Sequence, residues 1–473
     1  MINSEEFKKN ATEFIAWIAD YLANVENFPV RAQTRYGDIR KRITENPPLK
    51  GESITSIFSD FTNIILPGIT HWQSPNYFAY FPANSSEPSL LAEFLTAALG
   101  VQGMKWITSP AATELEEQMM IWLRGMLGLP EKFTGVIQDT ASVATLCAIL
   151  AARERTTGNR SNLTGVNGTN LRVYCSAEAH SSIEKAVRIA GIGSENLVKI
   201  EVDELCRMVP EKLEKAIEED IRDGLRPCCI VAALGTTGTC ATDPLEEIGR
   251  IANHYNIWLH VDAAFAGTAL ILPEVRKTIR GLDKADSFVF NPHKWMFTNF
   301  DCSAFFVRDK EQLNNTFTLV PAYLQTTPGT ESNDYSNYGI QLGRRFRSLK
   351  LWFVIRNFGV EGIQERIREH IRLAGYFEEW VRTQKYLELI VPRNLTVVCF
   401  RYNNGKLNEA DLNTLNAGLL EKINATGRLF MSHTLVGGKY CLRFVCAQTN
   451  TAMDHVRSAI GVINGIIGSI EKS

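Results

Sequence analysis

Phe7, Ala11, Phe14, Ile15, Ile18, Leu22 and Val25 recur at helical spacing. This pattern predicts an amphipathic helix over 5–25 with Ser4 as its cap. A second helix is expected over about 54–65, after a break at Pro47-Pro48. Residues 1–85 therefore read as a helical N-terminal segment with little core of its own. It must pack on another surface, of the same chain or of a second copy. From about 110 to 310 the pattern changes: short apolar runs at 135–137, 171–175, 229–234, 257–261, 287–290 and 303–307 alternate with helical periodicity. That rhythm predicts an α/β domain, a mainly parallel sheet wrapped by helices, over 86–351. Within it, Thr113 and Glu116 read as a capping box before a helix carrying Leu115, Met119, Leu123 and Met126. The Gly-, Asn-, Ser- and Thr-rich stretches 156–170 and 325–339 read as loops. Beyond 352 a long helix over 363–383 and strands at 396–400 and 440–445 predict a small C-terminal α+β domain, 352–473, and no internal repeat is found.

The composition narrows the class. With 45% hydrophobic and 22% charged residues in 473, the chain is an ordinary globular protein long enough for two or three domains. A net charge of -2 gives no broad attraction for nucleic acid or an anionic membrane surface. No apolar run is long enough to span a bilayer, and the polar start MINSEEFKKN lacks a secretory pattern, so a cytoplasmic protein is expected. The ten cysteines are scattered, which fits reduced, mostly buried thiols rather than disulfides or zinc fingers.

Candidate chemistry lies at strand ends, because an open parallel sheet binds ligands beyond its carboxyl edge. Three segments stand out. Asp262 follows the run 257–261 and precedes small residues including Ala264. Lys294 follows 287–290 in Asn291-Pro292-His293-Lys294. Thr140, Ala141 and Ser142 lead from a strand into a helix. Singly, each has a structural reading as a cap or a snorkelling lysine. Together they match the needs of pyridoxal phosphate: a lysine amine for a Schiff base, a carboxylate for the pyridine nitrogen, and a phosphate seat at a helix N-terminus. His180, after the run 171–175, could stack on such a ring or cap a helix. A metal site is the weaker reading, since no HExxH or His/Cys cluster occurs, and His260 is expected to face away from Asp262.

The chain resembles the group II pyridoxal-phosphate decarboxylases, and within them the aromatic L-amino acid decarboxylases. The resemblance runs through HWQSPNYFAYFP (71–82), SPAATELE (109–116), AHSSIEKA (179–186), LGTTGT (234–239), HVDAAFAG (260–267), NPHKW (291–295), NFDCSA (299–304) and LGRRFRSLK (342–350). It implies a fold-type I homodimer with a seven-stranded, mainly parallel sheet and active sites at the subunit interface. It implies further that Lys294 carries the cofactor, Asp262 pairs with the ring nitrogen and His180 stacks on the ring. Ala141, Ser142, Asn291 and His293 would contact the phosphate, with Thr237 nearby. The substrate pocket would comprise Trp72, Tyr80, Phe81 and Pro82, with Gln102 and Met104 reaching in from the partner. Tyr323 would protonate Cα after carbon dioxide leaves. The position of Gly343 is glycine in plant relatives taking indolic acids and tends to be serine in those taking phenolic ones, which favours room for tryptophan, while animal relatives with glycine also accept hydroxylated phenylalanines. Departures from the animal enzymes are Ala83 for threonine, Gln102 for isoleucine and Met104 for phenylalanine. The rivals are a transaminase or aldehyde-forming synthase of the same cofactor class, and a non-catalytic binding module; Tyr323 argues against the synthase, and the set of Lys, Asp and His against the module.

Overall fold

The computed structural model describes residues 4–319 and 333–471. Its strands, in chain order, are β1 (Tyr77–Phe78), β2 (Thr134–Gln138), β3 (Leu171–Ser176), β4 (Leu197–Ile200), β5 (Arg226–Ala233), β6 (Trp258–Asp262), β7 (Ser287–Phe290), β8 (Ser303–Val307), β9 (Leu387–Leu389), β10 (Val397–Tyr402), β11 (Phe430–Val436) and β12 (Lys439–Val445). The chain divides into two compact units.

The smaller unit comprises Met1–Pro82, Leu373–Ile390 and Cys399–Ser473. Its first helix, α1 (Ser4–Ala23), begins at Ser4 itself. Phe14 stacks on Phe58 with centroids 4.6 Å apart, and Trp17 meets Phe58 and Phe61 edge-on. No residue of α1 is buried, and Phe7 and Ile15 remain 64% and 54% exposed, so part of its apolar face is uncovered. The second predicted helix is real but changes pitch: α2 (Ile54–Asp60), capped by Ser53, continues as a π-turn over Phe61–Ile65. The segment that follows packs on its own chain. Val30 N–H bonds Gly427 O at 2.8 Å, β1 pairs in parallel with β11, and Phe78, Phe444 and Phe377 stack in series. The resulting five-stranded sheet has the order β1-β11-β12-β10-β9.

The larger unit comprises Ala83–Arg372 and Val391–Val398. Its seven-stranded sheet has the order β2-β8-β7-β6-β5-β3-β4, and only β8 runs antiparallel to its neighbours. Strands β6, β7 and β8 are buried at almost every position because helices cover both faces, which is why they read as continuous apolar runs. The six predicted runs are β2, β3 and β5–β8. The seventh strand, β4, escaped notice because three of its four residues are only partly buried or exposed. Helix α3 (Glu87–Leu99) leads to α4 (Pro110–Leu127) and then, after β2, to α5 (Ala141–Thr157). The capping-box expectation at Thr113 is overturned. Helix α4 starts earlier, with Ser109 as N-cap accepting from Ala112 N–H and Pro110 in the first turn, so Thr113 and Glu116 are helical residues. Small side chains on α5, from Ala144 to Ala152, let it lie close on Val136, Val173, Val231 and Val289 of the sheet. All ten cysteines are buried free thiols, as expected. The predicted helix over 363–383 is part of a longer stretch, Arg347–Thr383, interrupted at Gly359, whose φ of +66° lies in the left-handed region.

Candidate active site

The carboxyl ends of β2, β3, β6 and β7 converge on one edge of the large sheet, and the candidate residues leave from them. Asp262 ends β6, in register with Ala233 of β5 and Val289 of β7. Its Oδ1 accepts the Ala264 N–H at 3.1 Å, while Ala264 O accepts the Asn291 N–H at 2.9 Å. Ala264 thus ties the end of β6 to the residue that follows β7. Lys294 sits on the single turn Pro292–Trp295, its N–H bonded to Asn291 O at 2.9 Å. Asn84 holds this turn from outside: its N–H bonds His293 O at 2.9 Å and its Nδ2 bonds Lys294 O at 2.6 Å.

His180 belongs to the same cluster, since the Asp262 carboxylate and the Lys294 ammonium both act on it electrostatically. Its Nδ1 accepts the Ser182 N–H at 3.1 Å and contacts the Ser182 hydroxyl at 2.7 Å. An accepting Nδ1 leaves the proton on Nε2. Burial holds the imidazole pKa below the ordinary histidine value; Lys294 lowers it further, and Asp262 opposes the shift. The ring is therefore neutral near pH 7.

The residues expected to seat a phosphate present donors. Thr140 caps α5, its Oγ1 accepting the Val143 N–H at 3.4 Å. The first-turn N–H groups of Ala141 and Ser142 have no helical acceptor. Asn291 Oδ1 takes the Ser303 hydroxyl at 2.6 Å, so Asn291 offers its amide N–H groups. His293 Nδ1 accepts the Cys302 N–H at 2.9 Å, which leaves an Nε2–H donor. Burial, reinforced by Lys294, pushes the His293 pKa down to about 3 and keeps that ring neutral. Thr237 lies in the exposed turn after β5. That turn needs Gly235, whose φ is +94° and where a Cβ would stand 2.6 Å from Ala266 Cβ. Orphaned helix N–H groups, two buried neutral donors, a lysine and a carboxylate on one sheet edge fit pyridoxal phosphate.

One expectation fails here. His260 and Asp262 are two residues apart on β6 and so share a face of the sheet. His260 is buried beneath the site, bonded to Thr145 and Ser287, and feels the Asp262 carboxylate.

The substrate-pocket candidates divide between the units. Trp72, Tyr80, Phe81 and Pro82 belong to the smaller one, where Trp72 stacks on Tyr77 (4.6 Å) and lies 6.2 Å from Tyr80. Tyr80 has φ +47°, held by its N–H to Ser432 Oγ (3.1 Å) and by Arg443 Nη1 donating to its carbonyl (2.6 Å). The Arg443 guanidinium covers the Phe81 ring at 4.6 Å, and Pro82 is buried. Gln102, Met104 and Gly343 belong to the larger unit, and Gln102 lies against Gly343. Tyr323 lies outside the described residues. Sequence reasoning missed Asn84, Ser182, Ser303 and the buried pair Glu116–Arg344. Asn84, Ser303 and the Glu116–Arg344 pair act through bonds to residues distant in the sequence, and Ser182 through a local bond to His180, and none of these leaves a periodic mark.

Residues 37–403 match the pyridoxal-dependent decarboxylase conserved domain. Tyrosine decarboxylase 2 of Narcissus pseudonarcissus is 42% identical over 468 residues, covering 97% of this chain and 93% of the relative. Phenylacetaldehyde synthase of Arabidopsis thaliana is also 42% identical, covering 98% and 96% of the two chains. The Oryza sativa TDC, solved with PLP and tryptamine, superposes with a TM-score of 0.96 at 34% identity, covering 99% of both chains. The sheet, the lysine turn and the donor-lined seat define a fold-type I pyridoxal-phosphate enzyme. The chain belongs to the pyridoxal-dependent decarboxylase family, and its cofactor is pyridoxal 5'-phosphate.

Proposed function

We propose that this enzyme removes the α-carboxylate of aromatic L-amino acids, namely tryptophan, phenylalanine, tyrosine or their hydroxylated forms, releasing carbon dioxide and the arylalkylamine. The observation that carries this reading is the convergence of Lys294, Asp262 and His180 at one sheet edge, in a chain similar over 97% of its length to a relative named tyrosine decarboxylase.

When bound, the cofactor supplies a ring that accepts the electron pair left at Cα as the carboxylate departs. Lys294 would hold the cofactor through its side-chain amine, the position that a substrate amine would take over. Asp262 would hold a proton at the pyridine nitrogen, as a carboxylate does for a cationic partner. His180, neutral and fixed by Ser182, bounds the site without adding charge. Thr140, Ala141, Ser142, Asn291 and His293 hold the phosphate, with Thr237 and Ala264 beside the cofactor. Tyr323 delivers the proton to Cα. Trp72, Tyr80, Phe81, Pro82, Gln102, Met104 and Gly343 orient the side chain, so that the carboxylate is the group lost.

The uncovered face of α1 and the exposed Leu91, Phe94, Leu95 and Leu99 of α3 support a homodimer. We assign 1–85 to dimerisation, 86–351 to cofactor binding and 352–473 to the small domain. Among the described residues no helix is long and apolar enough to cross a membrane. We place the enzyme in the cytoplasm, in amine biosynthesis.

A second reading, an aromatic aldehyde synthase, is favoured by the Arabidopsis relative. Tyr323 in the sequence argues against it, since a phenolic proton donor directs the reaction to amine. Product analysis separates the two. The decarboxylase reading expects amine and carbon dioxide in equal amounts, whereas aldehyde, ammonia and peroxide from the unaltered enzyme would replace it with the synthase.

A further inference from the structure

We propose that Gln102 selects substrates with a hydroxylated single ring by donating a hydrogen bond from its side-chain amide to the ring oxygen. The inference rests on the aromatic decarboxylase reading above. Gln102 lies in the loop after α3, and its Oε1 accepts the backbone N–H of Arg344 at 3.0 Å. That bond assigns the amide, because the reversed orientation would set two donors against each other. Nε2 then has no acceptor among the described residues. It stands 3.3 Å from the point where a Cβ on residue 343 would sit.

Two consequences follow. Glycine at 343 taken alone implies room for a two-ring indole, but here the Gln102 amide fills part of the space the glycine leaves. The group presented there is also a donor. A phenol or catechol oxygen accepts from it, phenylalanine offers nothing, and an indole N–H, itself a donor, gives the Gln102 Nε2 no acceptor.

The amide is held in place. Gly103 N–H bonds Arg344 O at 2.9 Å, and Arg344 Nη1 bonds Gly103 O at 3.2 Å. Arg344 is itself anchored by Glu116 at 2.6 Å, with both side chains buried. Gln102 and Gly343 therefore meet within one chain, and whichever subunit brings one to an active site brings the other. A donor fixed in this way discriminates by losing a bond when the oxygen is missing.

The test compares kcat/KM for tyrosine, phenylalanine and tryptophan in the cofactor-loaded enzyme, Gln102→Met and Gln102→Ala. Methionine keeps the volume without the donor, and alanine removes both. The tyrosine-to-phenylalanine ratio is expected to fall about tenfold in both variants, as for one lost hydrogen bond. The tryptophan-to-phenylalanine ratio should rise about threefold or more in Gln102→Ala and stay lower in Gln102→Met. Should either variant fail to fold, Gln102→Glu keeps the length and the bond from Arg344 N–H while replacing the donor, and it should lower the tyrosine ratio at least as far. A tyrosine-to-phenylalanine ratio within about twofold of the parent in the folded variants overturns the inference and leaves the decarboxylase reading intact. A loaded parent enzyme that converts none of the three acids overturns that reading, and the inference with it.

Discussion

Arg344→Met tests the clamp behind the pocket. The Arg344 and Glu116 side chains are each about 4% exposed, and their ion pair is 2.6 Å long. Arg344 also donates to Ile137 O at 2.8 Å and Gly103 O at 3.2 Å, and its guanidinium lies 4.8 Å from the Tyr335 ring centroid. Methionine fills much of the volume but leaves Glu116, among the described residues, with only the Ile137 N–H as hydrogen-bond partner. Breaking a buried pair from one side typically costs about 3–5 kcal/mol, mostly for the charge left behind. With an unfolding entropy of roughly 2 cal/mol/K per residue, a chain of this length loses about 3–5 °C in Tm. The assay is thermal unfolding of the apoprotein by circular dichroism at one protein concentration and scan rate. The single variants Arg344→Met and Glu116→Gln and the double variant complete a cycle. The double variant should lose less than the sum of the singles by about 2 kcal/mol or more, because removing both partners leaves no orphaned charge. Additive losses would refute the idea that the pair acts as one unit.

Three further outcomes are expected. Asp262→Asn should keep the fold and bind cofactor yet lose roughly a hundredfold or more in kcat, because the ring nitrogen loses its proton-holding partner; near-parental turnover removes Asp262 from that role. Tyr323→Phe should still bind substrate but release aldehyde, ammonia and peroxide under air in place of much of the amine, since the carbon left unprotonated reacts with oxygen; parental amine output with no oxygen uptake removes Tyr323 as donor. Acid should weaken the apoprotein: burial holds His260 and His293 down to about 4 and about 3, so each stabilises the fold fully above pH 6.5 and loses that contribution as pH falls below it. Asp243, pushed up to about 6 by burial, works in the opposite direction below pH 6. These three groups together give a net loss of about 2 kcal/mol between pH 7 and 5, and denaturant stability that stays flat over this range would contradict it.

The parts legible in the sequence are those that repeat or that follow a strand. Strands β5–β8 announce themselves because they are buried on both faces, and Asp262 and Lys294 because they follow such runs directly. β4, β9 and β11 are short, half-buried or polar on one face, and their pattern resembles loop. The start of α4 was misplaced because Thr113 and Glu116 satisfy the spacing of a capping box, while Ser109-Pro110 carries the actual cap. The supporting contacts were invisible for another reason: Asn84 reaches Lys294 across 210 residues and Gln102 meets Gly343 across 241, and neither pairing has a local signature. The error over His260 was one of geometry, since positions two apart on a strand face the same way.

The assignment of Lys294 is tested most directly by reducing the cofactor-loaded enzyme with borohydride, digesting it and locating the pyridoxyl group by mass spectrometry. The site built from β6, β7 and α5 predicts one labelled peptide, the one carrying Asn291-Pro292-His293-Lys294-Trp295. A label on any other lysine would contradict it.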